Sequence, residues 1–332
     1  MLQKIRWWRL PILKYKVLYF YDQMNIHHER FISALRSRYE VTICQVNNNE
    51  YTTGGYDLLI ISPINQPFPT LKENSALKTL GISLAYDLIL PQGESQENTN
   101  ISRNLHLLDH VVVDCEYSRT LLLNEFQYSG KISKVVYGCD LPPFVKHESY
   151  KKIKILVTRN WSTIHSNNVI LSALQILHSK GVAFSAQFIG EGILKEHLLA
   201  EYAPLISSAD IQIKGFLKQD EIQDIRNSTW MSISASASDG TSISLLESMS
   251  AGQICITTDF QSNLEILDHG VNGFTFPIGD SEALSRLILD IADIPVKDLQ
   301  NISRAAAEKA RRIGDWQKNR IGLTNAVYET VQ

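Results

Sequence analysis

An acid pair on either side of a turn of small residues is the strongest candidate for chemistry in this sequence. Asp239 and Glu247 stand eight positions apart in the run SASDGTSISLLESMSAG. We expect Asp239 on a turn after a short strand and Glu247 about one and a half turns inside the next helix. Carboxylates so placed could contact opposite ends of one elongated ligand. An acid near a helix N-terminus also often serves only to compensate the helix dipole, and the residues alone leave both interpretations open.

The turn between the two acids predicts an anion-binding site. Thr241 and Ser242 are suitable N-cap residues for the helix, and Gly252 is suited to end it. A helix N-terminus binds anions through its free amides and the positive end of its dipole. Ligands of α/β sheets also bind at the carboxyl ends of parallel strands. A diphosphate is therefore the expected ligand.

The elements that position this site belong to the second of two alternating series of strands and helices. In the first series, short apolar runs predict parallel strands covered on both faces; these runs are residues 16–21, 41–46, 56–62, 81–90, 110–114 and 131–137. The polar stretch at 91–102 predicts a loop. Two prolines and a charge cluster interrupt the pattern at 137–152, and the alternation restarts with the strand 152–158.

Two such series predict two doubly wound α/β domains. We place the first domain at residues 1–145 and the second at 146–315. The segment 316–332 predicts a final amphipathic helix that returns to the first domain.

Composition limits the class of protein. The chain has 332 residues, 44% of them hydrophobic, and a formal net charge of −3, which is typical of soluble domains and argues against nucleic acid as a partner. Four cysteines are scattered singly, so we expect reduced thiols in a cytoplasmic protein and no zinc site. No apolar run reaches the roughly 18 residues that span a bilayer. The basic, aromatic N-terminus is either a charged lead-in to the first strand or a peripheral contact with the inner face of a membrane.

The acid-pair run resembles the signature of glycosyltransferase family 4, whose members are retaining enzymes with the GT-B fold. That family carries two acids separated by seven residues and then a Glu-Ala-Met-Ala-x-Gly stretch; here Asp239 stands where Glu is usual, and LESMSAG follows. The similarity covers about residues 105–330 and extends over further stretches, namely HVVVDCEYSRTLLL, FIGEGILKEHL, IQIKGFLKQDEIQDI and HGVNGF. It implies two Rossmann-like domains that face one another across a cleft.

The resemblance implies roles for the residues of the second domain. Glu247 would bind the donor ribose, Asp239 would lie beside the transferred sugar, and Arg159 would neutralise the leaving diphosphate. A family lysine is missing, and its nearest equivalent is His165, a weaker cation. The remaining donor-binding candidates are the phosphate-binding amides of Gly240, Thr241, Ser242 and Ile243, the turn glycines Gly190 and Gly192, and the nucleobase segment Gly215, Phe216 and Leu217.

The first domain departs further from the family. Adjacent His27 and His28 stand where many members have a glycine pair, and we keep open a substrate contact, a structural role and, least favoured, a metal site. Tyr86 replaces a family histidine, and Asp87 follows it as a candidate for the acceptor site.

Together these features predict a hexosyltransferase that moves a sugar from a UDP- or GDP-sugar to a glycan or lipid-linked acceptor, with no cofactor and no metal. The absence of a D-x-D motif argues against the metal-dependent class of transferase. Two alternatives stay open, a non-catalytic protein that binds nucleotide-sugar or glycan and a nucleotide-sugar epimerase.

Overall fold

The computed structural model describes residues 15–46, 54–66, 77–89 and 96–332. The chain divides into two compact units. Unit 1 comprises residues 1–137 together with 317–332, and unit 2 comprises residues 138–316. The division thus falls before the boundary that we placed between residues 145 and 146.

Unit 1 contains a six-stranded parallel sheet with the strand order β2-β1-β3-β4-β5-β6. Its elements are β1 (Lys16–Tyr21), α1 (Ile26–Arg36), β2 (Glu40–Gln45), β3 (Leu58–Ser62), β4 (Lys78–Ile82), α2 (Tyr86–Ile89), α3 (Gln96–Leu105), β5 (His110–Val113), α4 (Glu116–Asn124) and β6 (Lys131–Lys134). Every residue of β3 is buried, as expected for a central parallel strand with both faces covered.

Two local predictions in unit 1 were wrong. The apolar run 81–90 is not one strand, because the strand ends at Ile82 and α2 follows after Ala85, which has a φ of +68°. The predicted loop at 91–102 is helical from Gln96 onward. The run 81–90 was misassigned because a buried strand and a short buried helix have the same apolar composition. The loop was predicted because the stretch is polar, yet Ile101 and Leu105 of α3 lie in the core, so tertiary packing stabilises this helix.

Unit 2 contains a second six-stranded parallel sheet with the strand order β12-β11-β10-β7-β8-β9. Its elements are β7 (Ile153–Val157), α5 (Asn167–Ser179), β8 (Phe184–Ile189), α6 (Lys195–Glu201), α7 (Ala203–Ser208), β9 (Asp210–Lys214), α8 (Gln219–Ser228), β10 (Met231–Ile233), α9 (Ile243–Ala251), β11 (Ile254–Thr258), α10 (Gln261–Ile266), β12 (Phe274–Phe276), α11 (Ser281–Ala292) and α12 (Val296–Ile313). The predicted strand at 152–158 corresponds to β7, and the helix predicted after Asp239 corresponds to α9.

The last helix, α13 (Trp316–Val331), packs within unit 1 from residue 317 onward. The Tyr39 hydroxyl donates to the carbonyl of Thr324 at 2.7 Å, and Nδ1 of His110 lies 2.8 Å from the hydroxyl of Thr330. These buried polar contacts attach the end of the chain to the unit that contains its beginning.

Within the described part of the chain, none of the helices is long and apolar enough to cross a membrane. The basic N-terminal segment through Lys14 lies outside the described residues. All four cysteines are free.

A close approach of two backbone segments in unit 2 can be tested by adding one methyl group. A Cβ on Gly138 would lie 2.0 Å from the carbonyl oxygen of Gly314, and backbone cannot move aside as a side chain can. We expect Gly138→Ala to lower the free energy of unfolding by about 2 kcal/mol, measured from urea midpoints. Gly54→Ala is the control, since a Cβ there has nothing within 4 Å and should leave the midpoint unchanged. Equal midpoints for both variants would contradict the packing described.

Candidate functional site

The sheet of unit 2 reverses its winding direction between β7 and β10. From β7 the chain proceeds to β8 and β9 on one side, whereas β11 and β12 lie on the other side of β10. The carboxyl ends of the two strands at such a switch point leave a crevice where α/β sheets bind ligands. Arg159 follows β7 and Asp239 follows β10, so both candidate residues lie at this crevice.

The Arg159 guanidinium connects the two strand ends. Its Nε donates to the hydroxyl of Ser234 at 3.0 Å. Its Nη2 donates both to the carboxylate of Asp239 and to the hydroxyl of Ser242. Both charged side chains are largely buried, with 11% and 18% of their surface exposed, so their positions are defined by contacts rather than by solvent. The sequence predicted both residues as part of the site, but not the ion pair between them.

The turn after Asp239 leads into the N-terminus of α9. Ser242 is the N-cap, and its side chain accepts from the amide of Leu245 at 3.3 Å. Gly252 ends the helix with a φ of +91°. The predicted cap and stop are therefore confirmed. The first-turn amides of α9 have no carbonyl one turn earlier within the helix, which leaves Thr241, Ser242 and Ile243 at the positive end of its dipole, with Gly240 just before them.

His165 joins the same polar network without contributing charge. Its Nδ1 lies 3.2 Å from the hydroxyl of Ser236, which in turn lies 3.2 Å from the hydroxyl of Ser234. Burial, reinforced by the nearby Arg159 cation, lowers the pKa of His165 to about 4. The imidazole is thus neutral near pH 7, and the cation supplied by the family lysine has no equivalent at this position.

Glu247 is paired with a cation that sequence reasoning missed. Its Oε2 accepts from Nη2 of Arg226, which belongs to the last turn of α8. Both side chains are buried, Glu247 slightly less than Arg226. No local pattern marks this pair, because Arg226 resembles an ordinary basic residue near the C-terminus of a polar helix.

The two turn glycines bring a neighbouring loop close to Arg159. Gly190 and Gly192 have φ of +141° and +156°, and a Cβ on Gly192 would lie 2.3 Å from the carbonyl oxygen of Trp161. The amide of Trp161 donates to the carbonyl of Glu191 at 3.0 Å. These contacts give both glycines a packing role, in addition to the donor contact that the resemblance implies.

The segment after β9 presents an aromatic side chain to solvent. Phe216 is 75% exposed, whereas Leu217 packs against a small apolar cluster formed with Leu156, Ile189 and Ile225. A Cβ on Gly215 would lie 2.6 Å from the carboxylate of Glu191, so this segment is adjacent to the glycine turn.

In unit 1, the two adjacent histidines differ in exposure. Asn25 caps α1 by accepting from the amides of His27 at 2.9 Å and His28 at 3.1 Å. His28 is fully buried; its Nδ1 lies 2.9 Å from the Tyr19 hydroxyl, and burial lowers its pKa. This geometry favours the structural interpretation for His28 and leaves only His27 partly exposed. Within the described ranges, no group of three or more His, Cys, Asp or Glu side chains could hold a metal ion.

Tyr86 and Asp87 point to different environments at the carboxyl edge of the same sheet. Tyr86 is 41% exposed, whereas Asp87 is fully buried. The carboxylate of Asp87 accepts from the Ser83 hydroxyl at 2.6 Å and from the Ile64 amide at 2.8 Å. Asp87 therefore ties together the loops that follow β3 and β4, and it has no exposed surface for an acceptor.

The burial of Asp87 predicts a pH dependence of stability. Burial raises its pKa from 3.8 to about 6, so the folded protein holds this proton more tightly than the unfolded chain. The stability from this proton is complete below about pH 3.8 and is lost as the pH rises to about 6, a change on the order of 3 kcal/mol. We expect the free energy of unfolding of the wild type to fall by this amount relative to Asp87→Asn between about pH 4 and pH 7, measured in urea. A difference that stays constant over this range would contradict the prediction, and changes common to both proteins cancel.

The sequence of unit 2 is similar to that of a known protein family. Residues 145–309, about half of the chain, match the family model described as glycosyl transferases group 1. The chain is 31% identical over 119 residues to EpsD, a candidate glycosyltransferase of Bacillus subtilis (strain 168), covering 36% of this chain and 31% of that protein. It is 25% identical over 149 residues to AmsK, the amylovoran biosynthesis glycosyltransferase of Erwinia amylovora, covering 43% and 37% of the two. The chain thus spans about a third of the length of these curated relatives.

The fold is shared with a solved structure over nearly the whole chain. HepE of Anabaena, determined in complex with UDP-glucose, superposes with a TM-score of 0.72 at 14% identity, covering 95% of this chain and 99% of that one. The predicted GT-B fold is therefore confirmed. Together, the family match and the fold show that residues 145–309 form a glycosyl transferases group 1 domain in a chain with the GT-B fold.

Proposed function

We propose that this protein is a glycosyltransferase that transfers a hexose from a UDP- or GDP-sugar to a glycan or lipid-linked acceptor, with retention of configuration and without a metal ion. The observation that carries the proposal is the position of Arg159 and Asp239 beside the N-terminus of α9, at the switch point of the unit 2 sheet. A guanidinium and a helix N-terminus together suit the diphosphate of a nucleotide-sugar.

The proposed reaction breaks the bond between the anomeric carbon of the donor sugar and an oxygen of the diphosphate. That carbon forms a new bond to the oxygen of an acceptor hydroxyl, whose proton passes to the departing nucleoside diphosphate. Negative charge develops on the leaving oxygen as the bond to the sugar breaks, and Arg159 with the amides of Gly240 to Ile243 would stabilise that charge. Asp239 would accept a hydrogen bond from a hydroxyl of the sugar once Arg159 turns toward the phosphate. Glu247 would accept from the ribose hydroxyls, and the exposed Phe216 would contact the base.

Support for the substrate classes comes from the relatives. HepE was solved with UDP-glucose, and the name of AmsK refers to amylovoran biosynthesis, which support a nucleotide-sugar donor and a polysaccharide product. We assign the acceptor to the carboxyl edge of the unit 1 sheet, where Tyr86 and His27 are the accessible candidates. Four free thiols fit the cytoplasmic location that forms part of the proposal.

A thermal-shift panel of UDP-, GDP-, ADP- and dTDP-sugars tests the donor class. A ligand that binds only the native state at 100 times its Kd stabilises the protein by about 2.7 kcal/mol, so one base should raise the Tm clearly above the others. We expect this response from the UDP or GDP series. No shift with any member at millimolar concentration would contradict the proposal.

Arg159 supplies the sharpest test of the reaction. We expect Arg159→Ala to lower kcat/KM by about 10²- to 10³-fold, because one charged donor to the leaving group is lost. The kcat/KM of Arg159→Lys should lie between that of the wild type and that of Arg159→Ala. The assay measures release of nucleoside diphosphate in the presence of acceptor glycans. The control is Arg286→Ala, since Arg286 is exposed on α11 and pairs only at the surface with Glu282.

Two outcomes would contradict the proposal in different ways. A decrease of less than threefold in kcat/KM on Arg159→Ala would show that Arg159 does not stabilise the leaving group. Binding of nucleotide-sugar by the wild type without turnover on any acceptor would instead favour the non-catalytic alternative. This alternative merits a test because the neutral His165 does not supply the cation of the family lysine.

A further inference from the structure

The ion pair between Arg226 and Glu247 is the most deeply buried pair of opposite charges among the described residues. The two side chains expose 3% and 11% of their surface. Burial of two charges costs desolvation that their attraction only partly offsets, and an apolar pair of similar volume is often at least as stable. Stability of the fold alone therefore gives a weak reason for this arrangement.

One donor of the Arg226 guanidinium is buried without a hydrogen-bond partner in the described structure. Arg226 reaches Glu247 through Nη2, while its Nε is buried with no hydrogen-bond partner in the described structure. An unsatisfied buried donor adds a further cost. The contact therefore holds the carboxylate of Glu247 while one buried donor of Arg226 stays unsatisfied.

The backbone around this pair is firmly placed. Glu247 lies in the second turn of α9, whose next residue, Ser248, accepts a hydrogen bond from Ser232 of β10 at 3.0 Å. Arg226 comes from the last turn of α8, directly before β10. Since both helices flank the same strand, the contact fixes the long and flexible Glu247 side chain relative to β10.

We propose that Arg226 is a positioning residue that holds Glu247 in the rotamer that binds the ribose of the donor. This inference rests on the proposed function, because it needs a ribonucleotide at the switch point of the sheet. One oxygen of Glu247, Oε2, faces Arg226, and Glu247 is the more exposed member of the pair. In the proposed complex, its other oxygen would accept from the ribose hydroxyls. Arg226 then makes the site select a ribonucleotide over its 2′-deoxy form without touching the ligand.

A cycle of two ligands and several variants tests this role. Calorimetry with the full chain measures the Kd of UDP and of 2′-deoxy-UDP. If the thermal-shift panel selects GDP-sugars, GDP and 2′-deoxy-GDP are used instead. A hydrogen bond to a charged group predicts that the wild type binds the deoxy form about tenfold more weakly. In Arg226→Met, we expect weaker UDP binding and a deoxy penalty below about threefold. Arg226→Lys should restore part of the penalty, because it returns the cation without the planar fork.

The control is Lys152→Met, which removes the cation of an exposed ion pair with Asp210 in the same unit. It should keep the full tenfold preference for the ribonucleotide. Thermal unfolding of each variant shows whether it folds, and if Arg226→Met does not, the comparison is made with Arg226→Lys.

The possible failures are distinguishable. A folded Arg226→Met or Arg226→Lys that keeps the wild-type deoxy penalty would overturn the positioning role. Equal binding of UDP and 2′-deoxy-UDP by the wild type would also overturn the positioning role, because Glu247 would then not bind the 2′-hydroxyl of the ribose. This result would not contradict the proposed transfer reaction. A wild type that binds neither UDP nor GDP would contradict the proposed function itself.

Discussion

The ion pair between Arg159 and Asp239 is the interaction on which the site of unit 2 depends. The two residues are 80 positions apart in the chain, and they meet because β10 pairs in parallel with β7, aligning Met231 with Ile155. The pairing brings two carboxyl ends together at the switch point of the sheet. One strand end therefore carries the cation and the other carries both the acid and the helix N-terminus.

This pair also sets the charge balance of the site. Without a ligand, Asp239 neutralises Arg159, and the neutral His165 adds no further cation. Under the proposed function, a diphosphate that enters competes with Asp239 for the guanidinium, and the dipole of α9 stabilises the bound phosphate. Under the proposed function, the exchange of partners releases the carboxylate of Asp239 at the moment when a sugar hydroxyl arrives. Binding of the phosphate and binding of the sugar are then coupled through one arginine.

The parts of the structure that the sequence predicted are those encoded by local patterns. The turn at Asp239, the cap at Ser242 and the stop at Gly252 form a contiguous run in which each residue type has a direct conformational reason. The run 81–90 misled because a buried strand and a short buried helix have the same apolar composition. Arg226 could not be found, since its partner lies 21 positions away and only the packing of two helices brings them together.

The carboxyl edges of the two sheets show why burial of an acid cannot be deduced from its position after a strand. Asp87 and Asp239 both follow strands, yet Asp87 accepts hydrogen bonds from Ser83 and the Ile64 amide inside unit 1, whereas Asp239 meets a cation and keeps some exposure. The difference arises in the loops. After β4, Ala85 adopts a φ of +68° between the Ser83 and Asp87 side chains, and the Asp87 carboxylate lies in the interior.

An internally satisfied edge is a stiff one, because each loop is tied to its neighbour. Asn104 donates to the carbonyls of Ile64 and Gln66, both at 2.6 Å, which holds the same loop from a second side. The buried groups of this edge thus serve to fix its backbone. Under the proposed function, the acceptor would be recognised by side chains that project from this edge, and the exposed Tyr86 next to the buried Asp87 is, with His27, such a side chain.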